Sequence, residues 1–199
     1  MIVAGCDVGS LTSKAVLMKD GRMLESHVIK SKARPWESAE VVMGEVLKRA
    51  GISRSDVGYC VATGYGRSKI EFADEAVSEI ACHGKGARWL LPTARTVIDI
   101  GGQDCKALRL DARGDMEKFI TNDKCASGTG RFLEVMAGVL GLALEEMGGM
   151  SARASNPITL ASAFTVWAQA DVIQHVNDMV PAEDIAAGIN NAMASRMAV

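Results

Sequence analysis

The chain has 199 residues, enough for one ordinary domain or two small ones with a real hydrophobic core. Apolar residues make up 48% and charged residues 23% of the sequence, which excludes fibrous and disordered classes. With 22 basic and 24 acidic residues the net charge is −2, and no long lysine or arginine run is present, so nucleic acid and anionic membranes are poor partners.

No apolar stretch approaches the roughly 20 residues needed to span a bilayer, and the first ten residues lack the features of a signal peptide. The cysteines form no CxxC pair and are odd in number; they are Cys6, Cys60, Cys82, Cys105 and Cys125. That usage is typical of a reducing compartment. We therefore expect a cytoplasmic protein with no membrane segment, whose thiols are free or bind a metal.

The first half of the chain predicts three strands, a helix, a strand and a second helix. Apolar runs at 2–6, 15–18 and 23–29 indicate the strands, and Asp20-Gly21 is a hairpin signal. Apolar residues at helical spacing predict a helix from Glu37 to Ala50 that Gly51 ends. A strand over 57–63 and a helix over Asp74–Leu90 complete this half.

The second half begins near Ala94 and repeats the opening pattern. Strands are predicted at 96–100, 107–110 and 116–121, with a turn at Arg113-Gly114. A glycine-rich turn leads into a helix over Gly130–Leu140, followed by an irregular stretch and helices over Thr165–Asn177 and Glu183–Met197. We expect an α/β protein with two domains, 1–93 and 94–199.

The two halves share a motif where their first strand turns into their second. Residues 7–14, DVGSLTSK, align without gaps on residues 99–106, DIGGQDCK, with Asp, Gly and Lys in register. Either turn alone could be an ordinary tight turn, but two in a duplicated frame favour a shared function. Glycine lets a phosphate approach the backbone, successive N–H groups form an anion-binding nest, and the aspartate can hold Mg²⁺. Together the turns predict a clamp for a polyphosphate.

Four strings of the sequence carry a resemblance to a known family. They are DVGS…SK at 7–14, ATGYGR at 62–67, DIGGQD at 99–104 and NDKCASGTGRF at 122–132. These strings resemble the acetate kinase, sugar kinase, Hsp70 and actin superfamily, and more narrowly the BadF/BadG/BcrA/BcrD-type ATPases. Those proteins activate 2-hydroxyacyl-CoA dehydratases or serve as ATPase subunits of benzoyl-CoA reductases.

The resemblance implies two ribonuclease-H-like lobes that grip ATP and Mg²⁺, and a homodimer with one [4Fe–4S] cluster on its two-fold axis. ATP hydrolysis would push an electron from reduced ferredoxin or flavodoxin into an iron–sulfur acyl-CoA dehydratase or reductase. The implied nucleotide contacts are Gly9, Ser10, Leu11, Thr12, Ser13, Lys14, Gly101, Gly102, Gln103, Gly128 and Gly130. Asp7 and Asp99 would lie by Mg²⁺, Asp7 with Gln103 and Asp104 would form the catalytic group, and Cys125 would ligate the cluster.

The sequence departs from this family at the second cluster cysteine. Phe164 stands where the family has that cysteine, and phenylalanine cannot ligate iron. Three accounts stay open: loss of the cluster, pairing with a different protein, or completion of the site by another group. Cys82 and Cys105 are the candidates for the last account, although both are also expected as packed core thiols.

Two other function classes therefore remain. One is a cluster-free ATPase or small-molecule kinase of the same superfamily, and the other is a regulatory protein that binds nucleotide without turnover. The chain also ends inside the last predicted helix, before the T-G-G-[VL]-A turn of the family, so we expect an incomplete second lobe. Weak nucleotide binding and poor solubility would follow from an uncovered sheet edge.

Overall fold

The computed structural model describes residues 1–121, 129–161 and 165–197 of the chain. It divides into two compact units. The first unit comprises Met1–Arg95 and Arg109–Glu117, and the second comprises Thr96–Leu108 and Lys118–Val199. Cys125, Gly128 and Phe164 lie outside the described residues.

The first unit is built on a mixed five-stranded sheet with the order β3-β2-β1-β4-β5. Its strands are β1 (Ile2–Val8), β2 (Thr12–Lys19), β3 (Arg22–Lys30), β4 (Val57–Thr63) and β5 (Glu75–Ala76). β1, β2 and β3 pair antiparallel, whereas β4 runs parallel to both β1 and β5. The predicted hairpin between β2 and β3 is confirmed, because Asp20 and Gly21 both have positive φ, as a tight hairpin turn requires.

One face of this sheet is covered by helix α1 (Pro35–Ala50). A proline opens the helix, and Gly51 ends it in the left-handed conformation at φ 67°, donating back to the carbonyls of Leu47 and Lys48. Small and branched apolar side chains from both elements form the core: Ala4, Cys6, Val8, Ala15, Leu17, Ala39, Val42, Met43, Val46, Leu47, Cys60, Ala62 and Ile70. The helix predicted at this position is confirmed.

The helix predicted over Asp74–Leu90 is wrong in its first turn. Residues 74–77 extend along β4 instead: the Asp74 N–H donates to the Cys60 carbonyl and the Val77 N–H to the Ala62 carbonyl, each at 2.9 Å. Helix α2 begins afterwards and spans Glu79–Leu90. Its N-cap is Ser78, whose side chain accepts a hydrogen bond from a backbone N–H of the first turn.

The predicted repeat of the strand frame is confirmed in the second half. β6 (Thr96–Ile100), β7 (Cys105–Leu110) and β8 (Met116–Thr121) form a sheet with the order β6-β7-β8. The turn from β7 to β8 contains Gly114 at φ 83°. Within the first unit, Arg88 of α2 donates to the Ala112 carbonyl at 2.5 Å, and Lys85 pairs with Asp115 at 2.6 Å.

The second unit adds four helices: α3 (Gly130–Val139), α4 (Glu146–Ser151), α5 (Thr165–Asn177) and α6 (Ala182–Met197). α3 packs on α5, and α4 packs on α6. Their shared core consists of Cys105, Phe132, Met136, Ala137, Met147, Ala168, Val172, Ile185, Ala186, Ile189 and Met193. α4 lies in the stretch that the sequence predicts as irregular. No helix among the described residues is long and apolar enough to cross a bilayer.

Candidate functional site

The first glycine turn connects β1 to β2. The Gly9 N–H donates to the Thr12 carbonyl at 3.1 Å, which closes the turn. Asp7 and Lys14 lie opposite each other in the antiparallel register, and Lys14 Nζ is 3.1 Å from Asp7 Oδ2. Because side chains alternate along a strand, this pair lies on the face opposite the α1 core. The Lys14 side chain is 43% exposed, so its ammonium remains accessible to an anion.

The second turn has the same backbone geometry. The Gly101 N–H donates to the Asp104 carbonyl at 2.9 Å, as Gly9 does to Thr12. Lys106 lies 2.7 Å from Asp104 Oδ1 and 4.0 Å from Asp99 Oδ2. The alignment of the two motifs is therefore a structural repeat, down to the aspartate–lysine pair.

The two turns differ in the exposure of the repeated lysine. Asp104 replaces Thr12 at the equivalent position and adds a second carboxylate. The Lys106 side chain is only 7% exposed, since it is enclosed with Asp99 and Asp104. Lys106 is absent from the site predicted by sequence, although its alignment with Lys14 is the signal that could have found it.

The N-terminus of helix α3 meets the second turn. Gly130, the first residue of the helix, donates its N–H to the Gly101 carbonyl at 2.9 Å. A Cβ at Gly130 would lie 3.2 Å from that carbonyl oxygen, so this approach favours glycine. The structure thus brings Gly130 to the second turn, while Gln103 lies exposed at its tip.

A third glycine segment closes over the end of β1. The Gly66 N–H donates to the Val8 carbonyl at 2.9 Å. Gly64 has φ 83°, and a Cβ there would meet the Asp7 carboxylate and lie 2.5 Å from the Val8 carbonyl oxygen. This segment therefore fixes the surroundings of Asp7. The ATGYGR string pointed to it, but neither glycine was among the predicted site residues.

Of the first turn's predicted contact residues, Ser10 is exposed and Leu11 is half-buried. Ser13 differs, because its side chain is fully buried and its Oγ lies 2.8 Å from Ser31 Oγ. Its hydroxyl faces the α1 side of the sheet, where Ser31 in turn donates to the Gly9 carbonyl. Ser13 is thus connected to the turn through Ser31, on the α1 side of the sheet.

Comparison with known proteins agrees with this geometry. The BadF/BadG/BcrA/BcrD ATPase family matches residues 4–199. The chain belongs to this ATPase family.

Individual relatives carry more specific names. The activator of lactoyl-CoA dehydratase of Anaerotignum propionicum is 43% identical, over 98% of this chain and 76% of that protein. A benzoyl-CoA reductase component of Thauera aromatica is 37% identical, over 99% of this chain and 71% of that protein. A solved structure, the activator of the 2-hydroxyisocaproyl-CoA dehydratase from Clostridium difficile with bound ADPNP, superposes with a TM-score of 0.94 at 40% identity, covering 100% of this chain and 74% of that one.

Three of the four described cysteines of this ATPase are buried. Burial raises the pKa of Cys6 to about 12 and that of Cys60 to about 11, and it also raises the pKa of Cys105. The prediction that these three are core thiols is confirmed. Cys82 is only half-buried on α2, so the prediction that it is a packed core thiol is wrong. Within residues 1–121, 129–161 and 165–197, no group of three or more His, Cys, Asp or Glu side chains could hold a metal.

Proposed function

We propose that this chain is an ATP-hydrolysing activator that drives low-potential electron transfer into a 2-hydroxyacyl-CoA dehydratase or benzoyl-CoA reductase type of iron–sulfur enzyme. The observation that carries the proposal is the repeated glycine turn with its aspartate–lysine pair, in a chain of this ATPase family. Relatives named as a dehydratase activator and as a component of benzoyl-CoA reductase support the choice of partner.

In this proposal each glycine turn binds phosphate oxygens of ATP. The first loop, Gly9–Lys14, supplies backbone N–H groups and the accessible Lys14 ammonium to the negative phosphate oxygens. The second loop, Gly101–Gln103, supplies backbone N–H groups only, with the N-terminus of α3 beside it. The arrangement requires two ribonuclease-H-like lobes, which we assign to residues 1–93 and 94–199. Gly128 would extend the second loop but lies outside the described residues.

The acidic side chains suit Mg²⁺, which takes oxygen ligands. Asp7 and Asp99, each at a strand end beside a glycine turn, would hold it directly or through water. When bound, the ion neutralises charge on the phosphate oxygens. Gln103, exposed at its turn, or Asp104 orients the attacking water, and Asp7 completes the catalytic group. Because phosphoryl transfer needs little covalent help, positioning and charge carry the catalysis.

The described residues do not fit a [4Fe–4S] cluster, because their cysteines are dispersed and three are buried in the cores. Our proposal of a dimer-bridging cluster therefore rests on Cys125, which lies outside the described residues. Four thiolates are needed, and Phe164 occupies the position of the second cysteine, so a heterodimer stays open beside the homodimer. Reduced ferredoxin or flavodoxin is the proposed donor, and the cytoplasm the proposed location.

The test is anaerobic purification with iron, sulfide and EPR analysis, together with ATP hydrolysis assays. Wild type is compared with Cys125→Ala, and Cys60→Ala, in the core of the first unit, is the control. We expect about four irons per dimer, lost in Cys125→Ala and kept in Cys60→Ala. Wild-type protein with neither iron nor ATPase activity would refute the proposal.

A cluster-free ATPase or small-molecule kinase is the second candidate, and Phe164 is the observation that favours it. The same experiment separates the two functions. Iron-free wild-type protein that still hydrolyses ATP would establish the second candidate. Phosphate release without any acceptor would then distinguish an ATPase from a kinase.

A further inference from the structure

The first glycine turn is held from behind by the residue that follows β3. Ser31 Oγ donates to the Gly9 carbonyl at 2.7 Å. The Ser31 N–H donates to the Leu11 carbonyl at 2.9 Å. A single residue therefore fixes two carbonyl groups of the turn, one on each side of Ser10.

This contact determines where the next N–H group points. A trans peptide unit is planar, and its C=O and N–H point in opposite directions. Because the Gly9 carbonyl points toward Ser31, the N–H of Ser10 points away from it, to the outer side of the turn. Ser10 is exposed, and among the described residues its N–H donates no hydrogen bond. The turn thus presents a backbone donor to an incoming anion.

The Ser31 hydroxyl is itself oriented by its neighbours. A hydroxyl has one proton, and Ser31 gives it to Gly9, so Ser13 is the donor in the 2.8 Å contact between Ser13 Oγ and Ser31 Oγ. Ser13 is fully buried, which holds this donor in place. On the other side, the Lys32 N–H donates to Ser38 Oγ at 2.8 Å, and Ser38 is fully buried in the first turn of α1. The chain that carries Ser31 is therefore anchored to the core.

We propose that Ser31 is a positioning residue for ATP: it sets the Gly9–Ser10 peptide so that the Ser10 N–H faces the bound phosphate. The inference rests on the proposed function and adds a residue outside the phosphate loop to it. Ser31 does not touch the nucleotide. It acts by keeping a backbone donor preorganised, so that no reorganisation of the turn opposes binding.

The test compares Ser31→Ala with Ser31→Thr and with Ser26→Ala, a serine of the preceding strand β3. Loss of the Ser31 hydroxyl leaves the Gly9 carbonyl without its partner, which predicts a rise of about tenfold in the KM for ATP of Ser31→Ala, equivalent to about 1.4 kcal/mol. Ser31→Thr, which keeps the hydroxyl, restores a KM close to that of wild type. Ser26→Ala changes neither KM nor kcat.

Two other outcomes would overturn the inference, and a third would overturn the proposed function. If Ser31→Ala melts at a lower temperature but its folded form keeps the wild-type KM, Ser31 is a stability residue only and the inference is overturned. If Ser31→Thr shows the same raised KM as Ser31→Ala, the hydroxyl is not the cause and the inference also fails. A wild-type chain that neither binds nor hydrolyses ATP would overturn the proposed function itself.

Discussion

Gly64 provides a test of the close packing around Asp7. Its φ of 83° is costly for any residue with a Cβ, by about 1–2 kcal/mol. An alanine Cβ would also lie 2.5 Å from the Val8 carbonyl oxygen and meet the Asp7 carboxylate, so the backbone must shift. Overpacking of this kind typically costs about 1–3 kcal/mol. Gly64→Ala should therefore lower the free energy of unfolding by about 3 kcal/mol.

A matched glycine in the same unit gives the opposite expectation. Gly44 lies on the exposed face of α1, and a Cβ there meets nothing within 4 Å. Gly44→Ala should stabilise the protein by about 0.5–1 kcal/mol, because alanine favours a helix interior. Thermal denaturation of a chain of this size shifts by about 2–4 °C per kcal/mol, so Gly64→Ala should melt roughly 6–12 °C below wild type.

The same variant reports on function. If Asp7 is displaced in Gly64→Ala, ATP hydrolysis by that variant should need a higher Mg²⁺ concentration than wild type. The Mg²⁺ requirement of Gly44→Ala should be unchanged. Equal melting temperatures for the two variants would refute the argument, because a positive φ and a steric clash are both present at Gly64 and both absent at Gly44. If Gly64→Ala is destabilised but has the Mg²⁺ requirement of wild type, Asp7 does not hold the metal.

Four further predictions concern the repeated lysines and the cysteine thiols. Lys106→Met should lower the free energy of unfolding in urea by about 3 kcal/mol, because two enclosed carboxylates lose their lysine. Lys14→Met should change it by less than about 1 kcal/mol, since that pair is partly exposed, yet raise the KM for ATP; equal effects of the two substitutions would contradict both expectations. Native Cys6 and Cys60 should resist iodoacetamide at pH 8 in mass spectrometry, while half-buried Cys82 reacts first. Folding raises the Cys6 pKa from 9.0 to about 12, so its contribution to stability should be present below pH 9 and lost as the pH rises toward 12.

Most of the fold follows from local signals in the sequence. In both halves the hairpin turns contain a glycine, Gly21 or Gly114, which adopts the positive φ that its position requires. The α1 helix has a proline at its start and Gly51 at its end, so its limits are local too. Periodicity and turn chemistry are sufficient where a segment's own residues determine its backbone.

The errors arose where a distant segment decides the conformation. Residues 74–77 are extended because the edge of β4 offers hydrogen bonds to them, which no pattern within that stretch indicates. Helix α4 contains Gly148 and Gly149, both unfavourable in a helix, and is stabilised by Met147 buried in the second core. Tertiary contacts outweigh propensity in both cases.

The candidate site shows the same division between what is local and what is not. Alignment of the two halves identifies the glycine turns and the aspartate–lysine pairs, but it does not reveal that one lysine is exposed and the other enclosed. That difference follows from Asp104 in place of Thr12, one substitution within an otherwise shared backbone. The first turn has the accessible Lys14 ammonium, which suits phosphate oxygens. The second has one more carboxylate than lysine, which suits a divalent cation and the orientation of water. Duplication has in this way produced two turns of the same backbone geometry and different charge balance, and exchanging Thr12 and Asp104 would be expected to remove that distinction.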